Sequence, residues 1–390
     1  MVVSVLVLGT VGYGWSRLHE LNKSVRGGDV IADAGPKAPD GATDILLVGN
    51  DSRVNAQGEQ LSENMLRKLR ASSDGSANNL TDTMILVRIP DGGRRASAVS
   101  FPRDTLVDLD RFGEHKLNSA LARAQAAAEQ RLRGRGVTGA ELARKSRTAG
   151  QKFFVSTIEE LAGVDIDHYA EVNLLGFYRL TKAVGGVKVC LRRPVDDSEY
   201  SGAVFPAGPQ VLSGSEALAF VRQRHGLPRG DLDRVVRQQA FLAGLANKIL
   251  SAGILGNPAK VSALMDALEN SVTLDKGWNI VGFAGKMRGI AADDIEFSTI
   301  PVRLRGGEVV AKPKRVERYV DDLLSGRTDE TDRPTRSGSA EERPGGTAGF
   351  SGTSGLGGDR AAESETGARE SAEPGVEQRP TTADDVPCVY

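Results

Sequence analysis

The chain has 390 residues, a net charge of -1 and a hydrophobic content of 39%. This length predicts one large domain or two ordinary ones, and the near-neutral charge gives no overall argument for binding nucleic acid. Two cysteines, Cys190 and Cys388, lack the spacing of a zinc site, so a metal–thiolate site is not expected. A bridge between them is chemically permitted outside the cell; the alternative is one buried thiol and one exposed thiol.

The beginning of the chain, residues 1–22, contains the apolar run VVSVLVLGTVGYGW. The run is shorter than the roughly 20 residues of a spanning helix. A secretory signal normally begins with basic residues, and none precedes this run. Three interpretations stay open: the outer part of a membrane anchor whose start codon was placed too late, an unusual signal peptide, or a buried element of the domain. We favour the anchor, followed by a linker over 23–40.

Between residues 41 and 324, short apolar runs alternate with segments of helical periodicity, which predicts a three-layer α/β domain. Ser213 and Glu216 are expected to form a capping box. The predicted strands cover 44–49, 83–89, 96–101, 187–191 and 297–302, and the predicted helices cover 117–133, 151–161, 173–184, 213–224 and 231–250.

The last segment, 325–390, is dominated by Gly, Ser, Thr, Glu, Arg and Pro. Such a composition cannot bury enough apolar surface to offset the entropy of ordering the chain. We therefore predict a disordered, low-complexity tail.

Charged residues follow or open the predicted strands. Asp51 follows the first strand in GNDSR, Asp82 opens the second in NLTDT, and Arg103 and Asp104 follow the third in FPRDT. Because ligands of α/β domains bind at the loops that leave the sheet, these residues are candidates for a binding site.

The stretch VRQRHGLPRGDLDRVVRQQ, residues 221–239, contains five arginines. One interpretation is a solvated helix face on which Asp231 pairs with Arg234 and Asp233 with Arg237. Another is an anion site, because the Gly-Pro turn would bring the arginines of two helices together. The second interpretation is favoured by helical spacing, since Arg234 shares a face with Gln238 and with the apolar Phe241 and Leu245.

Arginine suits phosphate because its planar guanidinium donates two parallel hydrogen bonds and stays charged. Three or four converging arginines match a diphosphate better than a single phosphate. Asp51 and Asp82 would add unfavourable negative charge unless a hard cation such as Mg²⁺ lay between them and the phosphates. For either aspartate alone, ordinary turn or cap chemistry is the alternative.

Five segments, in this order, resemble the LytR–CpsA–Psr family: GNDSR, LTDTMILV, SFPRDT, HKLNSA and VRQRHGLPRGDLDRVVRQQ. The resemblance covers about residues 45–249. It implies an α/β/α sandwich with a central mixed sheet, a hydrophobic lipid pocket and an arginine-lined mouth. It also implies a single-pass membrane enzyme of Gram-positive cells, with its catalytic domain extracellular. Such an enzyme transfers a teichoic acid, capsule or arabinogalactan from a polyprenyl-diphosphate carrier to peptidoglycan.

The resemblance also assigns roles to individual residues. Mg²⁺ would be held by Asp51 and Asp82, with Asp82 or Asp104 as the general base. Arg53 is a weaker candidate, His225 is expected to pack at its turn rather than act as a base, and Asp233 is interpreted as a surface residue. The residues implied for the diphosphate are Arg103, Lys116, Arg222, Arg224, Asp231, Arg234 and Gln238, and Arg103, Arg222 and Arg224 would also stabilise charge during the reaction.

Two other functions use the same residues. A polyprenyl-diphosphate hydrolase would replace the sugar hydroxyl by water, and only an acceptor experiment separates it from a transferase. A non-catalytic regulatory or lipid-binding protein of the envelope is the third interpretation. The sequence contains no helix-turn-helix signature that would support a DNA-binding regulator.

Overall fold

The structure, a computed structural model, describes most of the chain between residues 41 and 324. The described ranges are 27–31, 41–55, 59–71, 80–91, 95–251, 254, 260, 264, 266, 271–279, 282–283, 287, 290–324, 381–382 and 387–390. The predicted anchor over 1–22, most of the linker and most of the tail lie outside these ranges. Among the described residues, no helix has both the length and the apolar character needed to cross a membrane.

The described elements confirm the predicted alternation of strands and helices. The strands are β1 Gly27–Gly28, β2 Ala42–Asn50, β3 Thr81–Pro90, β4 Ala96–Ser100, β5 Thr105–Asp108, β6 Glu114–Lys116, β7 His168–Asn173, β8 Val187–Leu191, β9 Val195–Asp197, β10 Ala203–Phe205, β11 Gly208–Leu212, β12 Val272–Asp275, β13 Ile295–Thr299, β14 Val302–Arg305, β15 Glu308–Ala311, β16 Thr381–Thr382 and β17 Cys388–Val389. The α-helices are α1 Glu63–Leu69, α2 Ala120–Gly134, α3 Gly139–Ala162, α4 Leu174–Ala183, α5 Gly214–Arg222, α6 Asp231–Ser251 and α7 Pro313–Leu324.

The main sheet is mixed and has the strand order β1-β12-β7-β2-β3-β4-β13-β16. Strand β2 pairs antiparallel with β3 and parallel with β7, and β4 pairs parallel with β13. No residue of β2 is exposed, as expected for a strand covered on both faces.

Helices cover both faces of the main sheet, which confirms the predicted three layers. On one face, Leu46 packs with Phe154 of α3 and Val316 of α7. On the other face, its neighbour Ile45 packs with Ala243 of α6. Successive side chains of a strand point to opposite faces, so α3 and α7 cover one face of the sheet and α6 covers the other.

One edge of the main sheet gathers three chain segments. The antiparallel register places Asn50, the last residue of β2, opposite Thr81, the first of β3. Strand β4 runs antiparallel to β3, with Ser100 opposite Ile85, so its end lies near the same edge. The residues after β2 and β4 and at the start of β3 are therefore neighbours, although residues 55–79 separate them in sequence.

The outer layer on the α6 side contains α4, α5 and the small sheet β11-β8-β17. Ser213 precedes α5 without a side-chain capping hydrogen bond, so the predicted capping box with Glu216 is wrong. The Gly214 N–H donates instead to Thr181 Oγ1 of α4 at 2.8 Å. A residue 33 positions away satisfies this helix start, and the local sequence does not indicate that contact.

The last residues of the chain differ from the predicted disordered tail. Thr381–Thr382 pairs with β13, and Cys388–Val389 adds a parallel strand to β8. A disulfide joins Cys388 to Cys190 on β8, with their Cα atoms 4.3 Å apart. The bridge is the first of the two interpretations that the cysteines allowed, and it fixes a segment whose composition alone predicts disorder.

Candidate functional site

A cavity of about 590 Å³ lies between the sheet edge and helices α4, α5 and α6. Charged and apolar side chains share its wall. The charged and amide residues are Asn50, Asp51, Asp82, Arg103, Asn173, Arg222, Arg224, Arg234 and Gln238, and the large apolar ones are Leu47, Val48, Ile85, Val172, Leu174, Phe177, Leu180, Leu218, Val221, Phe241, Leu242 and Leu245.

The turn between α5 and α6 brings the arginines of the charged stretch together, as predicted. Arg222 ends α5 and Arg224 follows it, while Arg234 lies in the first turn of α6, and all three line the cavity. Gln238 lies one turn further along α6 and donates to the Val221 carbonyl at 3.3 Å. The anion-site interpretation of this stretch is therefore favoured over a solvated helix face.

Arg103 lies at the centre of a charge network. Its Nη1 donates to Asp82 Oδ1 at 2.5 Å, and its Nε lies 3.5 Å from Asp231 Oδ1 and 3.8 Å from Asp104 Oδ2. The side chain is only 14% exposed, so these carboxylates fix the direction of its remaining N–H groups. An anion in the cavity would meet a guanidinium that is already oriented.

Two other arginines are also fixed in position. Arg234 Nη2 forms a close ion pair with Asp231 Oδ1, the i,i+3 pair that the sequence indicates. Arg222 Nη1 donates to the Leu69 carbonyl at 3.1 Å, and its Nη2 lies 3.7 Å from Asp51 Oδ1. The carbonyl of Leu69, at the end of α1, thus orients an arginine of the motif, a contact that sequence reasoning missed.

Burial shifts the pKa values of these groups. It raises the pKa of Asp51, an effect that Arg222 opposes and the nearby Asp82 carboxylate reinforces. Burial also raises the pKa of Asp231 and lowers that of the Arg234 guanidinium. Burial alone would lower the pKa of Arg103, but Asp82, Asp231 and Asp104 together raise it. Arg103 therefore keeps its charge despite burial.

The two carboxylates expected to hold a cation face the same cavity. Asp51 and Asp82 both line it, and the buried Asp51 Oδ1 has no hydrogen-bond partner among the described residues. Within the described ranges, no group of three or more His, Cys, Asp or Glu residues has the arrangement of a metal site. A cation here would need its other oxygen ligands from substrate or water, as Mg²⁺ commonly does.

Three residues predicted for the site, Asp104, Lys116 and Asp231, do not line the cavity. Lys116 Nζ lies 3.6 Å from Asp104 Oδ1, and Asp104 and Asp231 both contact Arg103. They position the arginines or balance their charge. Arg53 does not line the cavity either, but its charge lowers the pKa of Asp51.

The structure tests two further expectations for the charged stretch. The prediction that Asp233 is a surface residue is wrong: Asp233 is 5% exposed and accepts from the Arg229 N–H at 2.8 Å and from Arg229 Nε at 2.7 Å. This pair closes the Gly-Pro turn onto α6. The solvated-face alternative pairs Asp233 with Arg237 instead. The prediction that His225 packs at its turn is confirmed, because its ring stacks on Tyr200 with centroids 3.8 Å apart.

Sequence reasoning missed several buried polar residues around the site. Gln239 Nε2 lies within hydrogen-bond distance of Ser298 O, Thr299 Oγ1 and Ser100 Oγ, so it ties α6 to two strand ends. Glu171 on β7 accepts from Asn50, the residue before Asp51, at 3.0 Å. A glutamate within the strand HYAEVN could have indicated from the sequence that Glu171 has a buried polar partner.

Arg237 is the largest of these missed residues and is fully buried. Burial lowers the pKa of its guanidinium to about 10, although Asp197 and Asp233 act in the opposite direction. Its Nε donates to the main-chain oxygen of Tyr390, and its guanidinium lies 5.0 Å from the centre of the Phe220 ring. Tyr390, the residue directly after β17, therefore contacts helix α6.

The sequence is similar to those of bacterial proteins with described functions. LcpA of Corynebacterium glutamicum, described as a cell wall biosynthesis protein, is 48% identical over 307 residues, which are 77% of this chain and 58% of LcpA. TagU of Enterococcus faecalis, described as a polyisoprenyl-teichoic acid–peptidoglycan teichoic acid transferase, is 26% identical over 70% of this chain and 78% of its own length. The chain thus spans a little over half the length of LcpA.

Solved structures share the fold. The crystal structure of Bacillus subtilis TagV has a TM-score of 0.52 and 21% identity, covering 73% of this chain and 97% of that one. The description "LytR_cpsA_psr family" belongs to the family model that matches residues 12–321. This match includes every strand and helix that forms the cavity, and the chain is therefore a member of the LytR_cpsA_psr family.

Proposed function

We propose that this protein is a phosphotransferase that moves a glycopolymer from a polyprenyl-diphosphate carrier to peptidoglycan outside the cell. The main support is that the cavity wall changes from charged to apolar along α6. Arg234, Gln238, Phe241 and Leu245 follow one another on one face of this helix. They span about 16 Å at 1.5 Å per residue. A diphosphate joined to an isoprenoid chain is likewise charged at one end and apolar along the rest of its length.

The apolar part of the cavity supports a lipid rather than a nucleotide or a sugar. Phe177, Leu218 and Phe241 come from three different helices, and all face this space. Burying an isoprenoid chain against them is favourable by roughly 25 cal/mol per Å² of apolar surface removed from water. The wall has no Gly-rich phosphate loop of a nucleotide site, which agrees with the absence of a Walker sequence.

The charged part supports a doubly charged head group. Arg103, Arg222, Arg224 and Arg234 line the cavity together with the carboxylates Asp51 and Asp82. Four cations and two anions leave a positive excess, which a diphosphate would neutralise. Because the guanidinium groups of Arg103, Arg222 and Arg234 are held in place before substrate binds, little reorganisation is needed when charge develops.

Asp51 and Asp82 would hold a divalent cation, and we include Mg²⁺ in the proposal. The buried, unbonded Asp51 Oδ1 supports this assignment. When bound, such a cation would neutralise phosphate oxygens and act as a Lewis acid. The protein's own part is to hold two carboxylates at adjacent strand ends, with Arg103 beside Asp82 and Arg222 beside Asp51.

The reaction can be written with its bonds balanced. A sugar hydroxyl of peptidoglycan attacks the phosphorus that carries the polymer, and a new P–O bond forms. The bond from that phosphorus to the bridging oxygen breaks, and polyprenyl phosphate leaves. Of the two carboxylates considered as base, Asp82 lines the cavity and Asp104 does not, so we assign the hydroxyl proton to Asp82. Arg103, bonded to Asp82, is placed to stabilise the charge that grows on the phosphate oxygens.

The relatives support this assignment through their descriptions, which name cell wall biosynthesis and teichoic acid transfer. The place of the protein in the cell is part of the same proposal. The apolar run over 1–22 would anchor it to the membrane in a single pass, with the domain outside. This location would put the cavity beside the lipid carrier and the cavity mouth beside peptidoglycan.

The test uses the full chain in detergent, a polyprenyl-diphosphate-linked sugar, peptidoglycan and magnesium. Sugar attached to peptidoglycan and polyprenyl phosphate released should both appear, and both should fall by about 10²-fold or more in Arg103→Ala. Arg303→Ala is the matched control, because Arg303 is exposed on β14, away from the cavity. Release of polyprenyl phosphate without sugar transfer would instead identify a hydrolase.

A further inference from the structure

A second cavity, of about 540 Å³, lies beside the first. The two cavities share the segment 222–225: Arg222 and Arg224 line the first, whereas Gln223 and His225 line the second. Gln223 has extended backbone angles, φ -58° and ψ 132°, after the end of α5. Extended chain points successive side chains to opposite sides, so this segment is a common wall between the cavities.

An exposed aromatic ring lines the second cavity. Tyr200 is 65% exposed, the highest value among the exposed large hydrophobic residues of the described chain. Its ring stacks on His225, with centroids 3.8 Å apart and planes at 29°. The stack holds the tyrosine ring in place. A fixed aromatic ring beside a polar cavity offers an apolar surface to a ligand that is otherwise polar.

Two buried side chains in the same wall have polar atoms without partners. Gln223 is 4% exposed, and its Oε1 has no hydrogen bond within the described residues. Arg237 is 0% exposed, and its Nη1 and Nη2 also lack hydrogen bonds there. Leaving such atoms unpaired is unfavourable, so a ligand or water that both donates and accepts hydrogen bonds would be stabilised beside them. Hydroxyl groups do both.

The charge of this cavity argues against an anion. Its carboxylates are Asp196, Asp197 and Glu199, and its guanidinium groups are Arg193 and Arg237. Carboxylates therefore outnumber cations, the reverse of the first cavity. Its wall is also mainly polar, which disfavours a second lipid chain. The combination of carboxylates, an amide and an exposed aromatic ring matches a neutral, hydroxyl-rich ring.

We propose that the second cavity binds a neutral sugar ring of the acceptor glycan, with one face of the ring on Tyr200. This inference rests on the proposed transferase function and names where its acceptor binds. In phosphoryl transfer the attacking and leaving oxygens lie roughly in line through phosphorus. The lipid phosphate leaves toward the apolar part of the first cavity, so the acceptor approaches from elsewhere, and the second cavity adjoins the charged part through segment 222–225.

The experiment measures binding and turnover separately. Binding of a soluble disaccharide fragment of peptidoglycan to the full chain is followed by saturation-transfer NMR, which needs no turnover. We expect Tyr200→Ala to raise the Kd for this fragment about tenfold, the size of one lost aromatic contact, and Tyr200→Phe to stay near wild type. Leu304→Ala, at an exposed apolar residue on β14, is the control for surface changes.

Turnover distinguishes the source of the sugar. In the transfer assay, Tyr200→Ala should raise the KM for the peptidoglycan acceptor while the KM for the lipid donor stays unchanged. If only the donor KM rises, the cavity holds a sugar of the donor polymer and the acceptor assignment is overturned. If the fragment binds wild type and Tyr200→Ala equally, the proposal is wrong. Tyr200-dependent binding without any transfer by wild type would support the sugar site while contradicting the transferase function.

Discussion

Arg103 Nη1 and Asp82 Oδ1 are joined by a hydrogen bond of 2.5 Å that links the end of β4 to the start of β3. An arginine suited to bind phosphate is thus partly neutralised before substrate arrives. In the proposed mechanism, this pair couples anion binding by Arg103 to proton acceptance by Asp82.

Replacing Asp82 by asparagine separates these two roles. Asp82→Asn removes a negative charge beside Arg103, so donor binding measured without magnesium should be retained or tightened. The increase in donor affinity on adding magnesium should become smaller, because Asp82 is also a proposed ligand of the cation. Loss of the base should lower kcat by about 10²–10⁴-fold, the usual range for a missing general base. Donor Kd from calorimetry and kcat from polyprenyl phosphate release check both. Asp104→Asn, at a residue that does not line the cavity, should lower kcat less; an equal fall in both variants would contradict the assignment of the base.

The raised pKa of Asp51 predicts how cation binding depends on pH. Burial, opposed by Arg222, lets this carboxylate keep its proton at a higher pH than an exposed aspartate. The folded protein then binds more protons than the unfolded one in that window, so stability falls as the pH rises through it. Magnesium affinity should change in the opposite sense and weaken as the pH falls through the raised pKa. Calorimetric titration across the acidic range measures this, and Asp51→Asn should abolish the dependence.

The apolar part of the cavity predicts a dependence on lipid length. Leu245→Trp adds volume at a residue that lines the cavity three positions beyond Leu242. A long-chain donor should then bind about tenfold more weakly, because overpacking costs about 1–3 kcal/mol. A donor with a short isoprenoid chain should bind as before. Equal weakening of both donors would show that the substitution distorts the charged part instead.

Two adjacent glutamines on α6 are predicted to act differently. Gln239 is bonded to strand ends, so Gln239→Leu should lower the free energy of unfolding by about 1–3 kcal/mol, because it leaves buried acceptors unpaired. Gln238 faces the cavity, and Gln238→Leu should mainly weaken donor binding. Urea denaturation and donor titration measure the two effects. If Gln238→Leu proved the more destabilising, the assignment of faces on α6 would be wrong.

Local periodicity predicted five strands and five helices, and one short turn predicted the convergence of the arginines. Strand β7, in the middle of the main sheet, and helix α7 were not predicted. The failures have long-range causes. At the start of α5, the Glu216 N–H donates to the Ser213 carbonyl rather than to its side chain. Thr181 of a different helix accepts from the Gly214 N–H. Asp233 is buried because Arg229 folds back over it, and the chain end is ordered because Cys388 reaches Cys190. Composition and spacing carry no information about such partners.

The disulfide predicts a stability that depends on redox conditions. Cys190 and Cys388 are 198 positions apart, and closing a loop of this length restricts the unfolded chain strongly. Reduction should therefore lower the free energy of unfolding by about 2–5 kcal/mol. Thermal denaturation with and without reductant measures the effect. The double variant Cys190→Ser, Cys388→Ser should match the reduced protein and show no further response to reductant.

The shared wall at residues 222–225 has a consequence for how this family member can vary. Arg222 and Arg224 face one cavity and Gln223 and His225 the other. A substitution here changes one side chain in one cavity. Insertion or deletion of a single residue would change which side chains reach each cavity and would move Arg224 away from the proposed diphosphate site. The length of this segment is therefore constrained as strictly as the identity of its two arginines.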